Sequence, residues 1–244
     1  MLTNSKQNLE KSIQKNQDKE FLQYLPLQIY REIAFAVPIP QGISDLPPTI
    51  FFDISKQFTP DQVQKIQDTI KGVLFNWSLH LTQKWNNGFN NGVSQLADCT
   101  NTYAVKNLQP LRYFGVNVTD GKQATDLAME QLTEVIKDNG LRRSQRARID
   151  WIYTPSPITI QLPPTVTKTQ TPLSMIVNVY QLQQPNVTAG LLIGSMFHAW
   201  LHRGGYDDPK VTNYFISECP MCVMRSYQPK KPDVPDSLFY KYFN

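Results

Sequence analysis

Residues 48–88 read PTIFFDISKQFTPDQVQKIQDTIKGVLFNWSLHLTQKWNNG, and the local pattern changes character inside them. Up to Ser55 the run is compact, apolar and rich in aromatic and β-branched residues, the composition of a strand. From Thr59 onward it reads as a helix. Thr59 suits the N-cap, Pro60 the first helical position, and Gln62 completes a capping box in which side chains and backbone N–H groups satisfy each other. Val63, Ile66, Ile70, Val73, Leu74, Trp77 and Leu81 then recur at helical spacing on one face. Asn86, Asn87 and Gly88 stop the helix. A strand feeding straight into a long one-sided helix predicts a layered domain in which the helix backs a sheet.

Outward from this stretch the elements mix without regular alternation. A strand is expected over 111–119, and a helix from Lys122 to Asp138 with Leu127, Ala128, Leu132, Val135 and Ile136 on its apolar face and Gly140 as its cap. Further strands are expected over 147–154 and 173–182. Another helix is expected from Thr188 to Arg203, stopped by Gly204 and Gly205, and the tail from Cys219 onward reads as mostly loop with one terminal helical turn. The fold class that follows is α+β, a mixed α/β layered domain rather than a doubly wound sheet. Residues 46–244 form this domain. Residues 1–45, polar and Gln/Asn-rich before a short mixed segment ending in prolines, read as an N-terminal extension, either a pro-segment or a packing arm.

A chain of 244 residues with a net charge of +4 is large enough for a real core and too mildly basic to argue for nucleic acid. No apolar run approaches the ~20 residues that span a bilayer. The polar N-terminus lacks the apolar core of a secretory signal, so the expected location is cytoplasmic, or secreted if a leader has been removed. Three cysteines are too few for a disulfide framework. Cys219 and Cys222 are expected as buried thiols or as a local pair. The sequons at Asn76, Asn117 and Asn186 are what chance supplies in a chain rich in Asn, Ser and Thr. His80 is expected to pack or to face solvent. The run Arg142–Arg148 is a solvated charge cluster or, alternatively, a contact for nucleic acid or an acidic partner.

Chemistry concentrates in residues 194–209, GSMFHAWLHRGGYDDP. On a helix, His198 and His202 stand one turn apart with their rings on the same side. Two imidazoles are one ligand short of a catalytic zinc site, which takes three protein ligands and leaves a position open. Gly205 lets the chain turn, and Asp208 can return as an oxygen ligand. Trp200 and Tyr206 are expected to pack, and Asp207 to hold the turn.

The register of His198, His202, Gly205 and Asp208 resembles the metzincin zinc peptidases, which carry H-E-x-x-H-x-x-G-x-x-H with Asp as the last ligand in some members. The strand-to-helix opening ending in VLFNWS is similar to the start of their catalytic domains, and the likeness spans roughly residues 48–230. The resemblance implies a zinc metallopeptidase of zincin architecture, with a mixed twisted sheet, a long backing helix and an active-site helix. It makes Zn²⁺ the cofactor, His198, His202 and Asp208 the ligands, and a peptide or protein the substrate. It makes Met224 the methionine turn beneath the metal and Tyr227 a stabiliser of the transition state, although Tyr227 follows Met224 by three residues where the family usually has two. The substrate would lie extended along an edge strand, supplied by 173–182 or by the strand before it.

One position departs from the pattern. Ala199 stands where the family has the glutamate that acts as general base, and a positioned base typically contributes roughly 10²–10⁴-fold. The chain as it stands is therefore expected to bind metal and cleave poorly. The alternatives left open are a base removed deliberately, a natural non-catalytic zinc- and peptide-binding pseudo-peptidase, and a site that is not zinc. A nucleic-acid-associated protein using Arg142–Arg148 is the second alternative from a different class.

Overall fold

The computed structural model describes residues 30–40, 42–85, 90–104, 112–113, 116–118, 120–141, 146–163, 173–203, 215–228 and 231–242. The chain divides into a unit Met1–Tyr30, of which Tyr30 alone is described, and a unit Arg31–Asn244 that carries everything discussed below.

In chain order the elements are β1 (Tyr30–Ala36), β2 (Thr49–Ser55), α1 (Pro60–Trp85), α2 (Gln95–Ala104), β3 (Arg112–Tyr113), β4 (Val116–Asn117), α3 (Gly121–Leu141) and β5 (Ala147–Ile152). They continue with β6 (Ile160–Gln161), β7 (Met175–Asn178), α4 (Val179–Leu182), α5 (Ala189–Arg203), α6 (Phe215–Met224) and α7 (Ser237–Tyr242). Among the described residues the main sheet has five strands in the order β1-β2-β5-β7-β6. β2, β5 and β7 run parallel, with Phe52 opposite Ala147 and Ile149 opposite Met175, while β6 is antiparallel to β7. The fold is therefore mixed α/β around a mixed sheet.

The opening stretch forms as its pattern dictates. In β2, Ile50, Phe52 and Ile54 are fully buried while Phe51 and Asp53 are half-buried, so one face of the sheet takes the core. The capping box is made in both directions, Gln62 N–H to Thr59 Oγ1 at 3.3 Å and Thr59 N–H to Gln62 Oε1 at 3.0 Å. Every apolar position expected on the inner face of α1 is buried. α5 lies against α1 and α6, and its Trp200 stacks on Phe52 with ring centroids 6.2 Å apart and planes 8° from parallel.

Several expectations are corrected. The segment 111–119 does not supply one strand to the sheet; β3 and β4 pair antiparallel with each other, Arg112 opposite Asn117. The strand expected over 173–182 ends at Asn178, because the side-chain oxygen of Asn178 accepts from Tyr180 N–H at 3.2 Å and turns the chain into α4. The edge strand is neither that strand nor the one expected before it: β7 sits between β5 and β6, β5 between β2 and β7, and β6 is the edge among the described residues. β1, within the segment read as an extension, occupies the other edge.

The tail is less loop-like than its prolines suggest, since α6 runs through Pro220. Its face bearing Cys219, Cys222 and Val223 is buried, and tertiary packing outweighs the hydrogen bond that proline removes. Cys222 is bonded to Cys99 on α2 across 123 residues of sequence, with Cα atoms 6.0 Å apart, and not to Cys219, which is a free buried thiol. Two residues i, i+3 on one helix compete here with a neighbouring helix, and the neighbour supplies the partner.

Candidate metal centre

α5 is begun by Thr188, whose Oγ1 accepts from Leu191 N–H at 3.2 Å and whose carbonyl accepts from Leu192 N–H at 3.1 Å. Leu192, Met196, Phe197, Trp200 and Leu201 anchor the helix in the core. The two histidines lie one turn apart and converge. His198 Nε2 and His202 Nε2 are 3.1 Å apart, with ring centroids at 4.6 Å and ring planes 83° to one another. His198 is buried and His202 half-buried, so the pair runs from the core toward solvent.

Two nitrogens each about 2.0–2.1 Å from one tetrahedral zinc ion stand roughly 3.3 Å from each other. The observed separation is close to that, and both ε nitrogens are the converging atoms, so the pair fits a shared ion. Among the described residues no group of three His, Cys, Asp or Glu side chains gathers here or elsewhere. Asp208, the expected third ligand, and Gly205, Tyr206 and Asp207 lie outside the described residues. Ala199 belongs to the buried core and is 3% exposed.

Met224, expected as the methionine turn, packs near the start of α5. It ends α6, where Ser226 N–H reaches Val223 O at 3.1 Å and Tyr227 N–H reaches Cys222 O at 2.8 Å, with Ser226 at φ 52°. This is a Schellman closure of a helix. Met224 packs with Met221 and Leu191, and its carbonyl would be 3.9 Å from a methyl group on Gly190. Gly190 precedes His198 by eight residues, about 12 Å along a helix. The described contacts of Met224 are thus with the N-terminal turns of α5 and with Met221. The Tyr227 hydroxyl donates to Asn76 Oδ1 on α1, and burial, with Cys219 nearby, raises its pKa well above the usual phenol value.

Beside the pair stands a structure that the sequence does not announce. Thr159, which leads into β6, donates through Oγ1 to Ser195 Oγ at 2.7 Å, and both side chains are buried. Ser195 precedes His198 by three residues, so the edge strand is tied to the histidine helix about one turn from the site. No periodicity marks Thr159 or Ser195, because the bond joins positions 36 apart.

His80, expected to pack or face solvent, is buried within a Ser–His–Asp sequence of contacts: Nδ1 is 2.7 Å from Ser94 Oγ and Nε2 is 3.3 Å from Asp126 Oδ1. Those residue types in that order serve nucleophilic catalysis when the serine is reachable. Ser94 is 0% exposed and caps α2 by accepting from Ala97 N–H at 3.0 Å, so the contacts join α1, α2 and α3 instead. Of the basic run, Arg146 pairs with Glu32, approaches Asp53 at 3.7 Å and lies over the Phe51 ring. Asp53 feels Arg148 as well. Arg142 and Arg143 lie outside the described residues.

No known protein family, curated protein or solved structure matches this chain.

Proposed function

We propose that this chain binds one zinc ion through His198 and His202, with Asp208 as third ligand, in a metzincin-like peptidase site whose general-base position is occupied by Ala199. The observation that carries the reading is the convergence of the two ε nitrogens to 3.1 Å on one helix face. A bound zinc ion would supply Lewis-acid polarisation of a peptide carbonyl and a more acidic water. The chain's own part is to hold a substrate: β6 is the edge strand beside the histidine helix, where an extended peptide can add by backbone hydrogen bonds. A methyl group at 199 moves no proton, so peptide hydrolysis runs roughly 10²–10⁴-fold below that of a site with its base.

Purified protein loaded with zinc and desalted should retain one equivalent, and His202→Ala should weaken binding by about 100-fold or more, given that even outer-shell changes cost 10–100-fold. Retention far below one equivalent in the unaltered chain overturns the metal reading. Ala199→Glu should then confer cleavage of a broad peptide library.

A second reading, a non-catalytic zinc- and peptide-binding protein, is favoured by the near-complete burial of Ala199, which leaves little room for a base. An Ala199→Glu variant that binds zinc and cleaves nothing selects it. The nucleic-acid reading draws no support from Arg146 and Arg148, whose charge is met by carboxylates of the same chain. The Cys99–Cys222 bond favours the secreted alternative over the cytoplasmic one, since such bonds persist in oxidising surroundings. Among the described residues, no helix is long and apolar enough to cross a membrane.

A further inference from the structure

Asn178 ends β7 at 1% exposure, and its side chain makes five hydrogen bonds to backbone. The two hydrogens of its Nδ2 serve three carbonyls, Thr154 O at 3.0 Å, Ser156 O at 3.0 Å and Ile158 O at 3.1 Å, so one of them is shared. Its Oδ1 accepts from Thr154 N–H and Tyr180 N–H, each at 3.2 Å. Its own backbone N–H reaches Thr159 O at 2.9 Å. Gln181 Nε2 adds a bond to Ser156 O at 2.7 Å.

These contacts grip alternate carbonyls of residues 154–158, within the 153–159 connection between β5 and β6. That stretch carries Pro155 and Pro157, which offer no N–H of their own for a ladder. It leads into a strand of two residues, which has few ladder bonds of its own. The height and register of β6 beside α5 rest on its short pairing with β7, Ile160 opposite Val177 and Gln161 opposite Ile176, and on two flanking ties, the Asn178 side chain on one side and the Thr159–Ser195 bond on the other.

We infer that Asn178 is a positioning residue for peptide binding: it sets the β6 edge in register with His198 and His202, and so selects which residue of an extended peptide is presented to them. This rests on the metallopeptidase reading above. Asparagine is suited to the task because one carboxamide donates and accepts at once. Aspartate would place a carboxylate against three carbonyls, and leucine would leave them without donors.

The test uses the full chain carrying Ala199→Glu, with and without Asn178→Ala, and denatured casein as the probe. Zinc content, hydrogen exchange at residues 154–162 and the steady-state constants are measured on each. Asn178→Ala should keep one equivalent of zinc, exchange faster at 154–162, and raise KM for casein about tenfold with kcat within about twofold. That split belongs to a lost ground-state contact rather than to a general loss of folded enzyme. It should also spread cleavage over additional bonds of casein.

Unchanged KM and unchanged cleavage sites in a folded, zinc-loaded Asn178→Ala overturn the inference and leave the peptidase reading standing. A parent that holds no zinc, or holds it and cleaves nothing, overturns the peptidase reading itself, and this inference with it. If Asn178→Ala does not fold, Gln181→Met removes only the bond to Ser156 and should shift KM in the same direction by a smaller factor. No shift there counts against the inference.

Discussion

A methyl group added at Gly121 would sit 2.6 Å from the Cα and 2.9 Å from the nitrogen of Asn101, both backbone atoms of α2. Neither can rotate away, and Gly121 N–H also donates to Asn101 Oδ1 at 2.8 Å. Gly121→Ala should lower stability by about 1–3 kcal/mol, read from a denaturant midpoint. At Gly72 the obstacle is the Ile193 side chain, at 2.4 Å, which can turn, so Gly72→Ala should cost less. Cys219 offers a second measurement. Burial pushes its thiol up to about 12, above the unfolded value of 9.0. The folded state therefore keeps the proton that the unfolded state gives up, and stability falls as pH rises from about 9 to about 12, by up to ~1.4 kcal/mol per pH unit. The urea midpoint should drop between pH 8 and pH 10, and drop less in Cys219→Ala; an identical slope in both would show that this thiol is not the source. The capping box of Thr59 and Gln62 was readable in the sequence because its partners are three residues apart. The roles of Gly121 and Cys219 were not, because the atoms that define them come from other helices.

Among the elements, α1, α3, α5 and the strands β2 and β5 stand where hydrophobic periodicity puts them, although α3 runs through Gly140, expected as its cap, to Leu141. Long amphipathic runs carry enough repeats to be read locally. The sequence pattern does not mark α2, β1 or β6, and it reads the stretch of α6 as loop. β6 is two residues long, pairs with β7, and has its approach held by Asn178, Gln181 and Ser195. α6 contains a proline and survives because α5 and α2 bury it and Cys99 fastens it. Closing a loop of this length by a disulfide stabilises by roughly 5 kcal/mol in the chain-entropy description. The Cys99→Ala, Cys222→Ala double variant should therefore lose several kcal/mol in a non-reducing unfolding titration, whereas reductant should leave its midpoint unmoved. A second fastening holds the tail. The Arg225 side chain, 1% exposed, donates through Nε to Val234 O at 3.0 Å and through Nη2 to Asp236, while Val234 and Leu238 pack on Leu191 and Met224.

At the scale of the molecule, the reading of the site turns on linkage. A zinc ion bound by the folded chain alone should stabilise it by about 2.7 kcal/mol at a hundred times its Kd. The melting temperature should rise with zinc in the unaltered chain and stay fixed in His202→Ala; equal rises in both would place the ion elsewhere.

By itself the sequence determined the mixed α/β class, the strand-to-helix opening and the helix that carries both histidines. Each of these follows from apolar spacing, caps and stops within a few residues of one another. Only the tertiary structure decided that Met224 packs near the start of α5, that Cys222 joins Cys99, that Tyr227 is committed to Asn76, and that the edge strand is β6. The reason is the same in every case: these outcomes depend on which helix or strand packs beside which, and that competition for burial and hydrogen-bond partners is settled across the whole core.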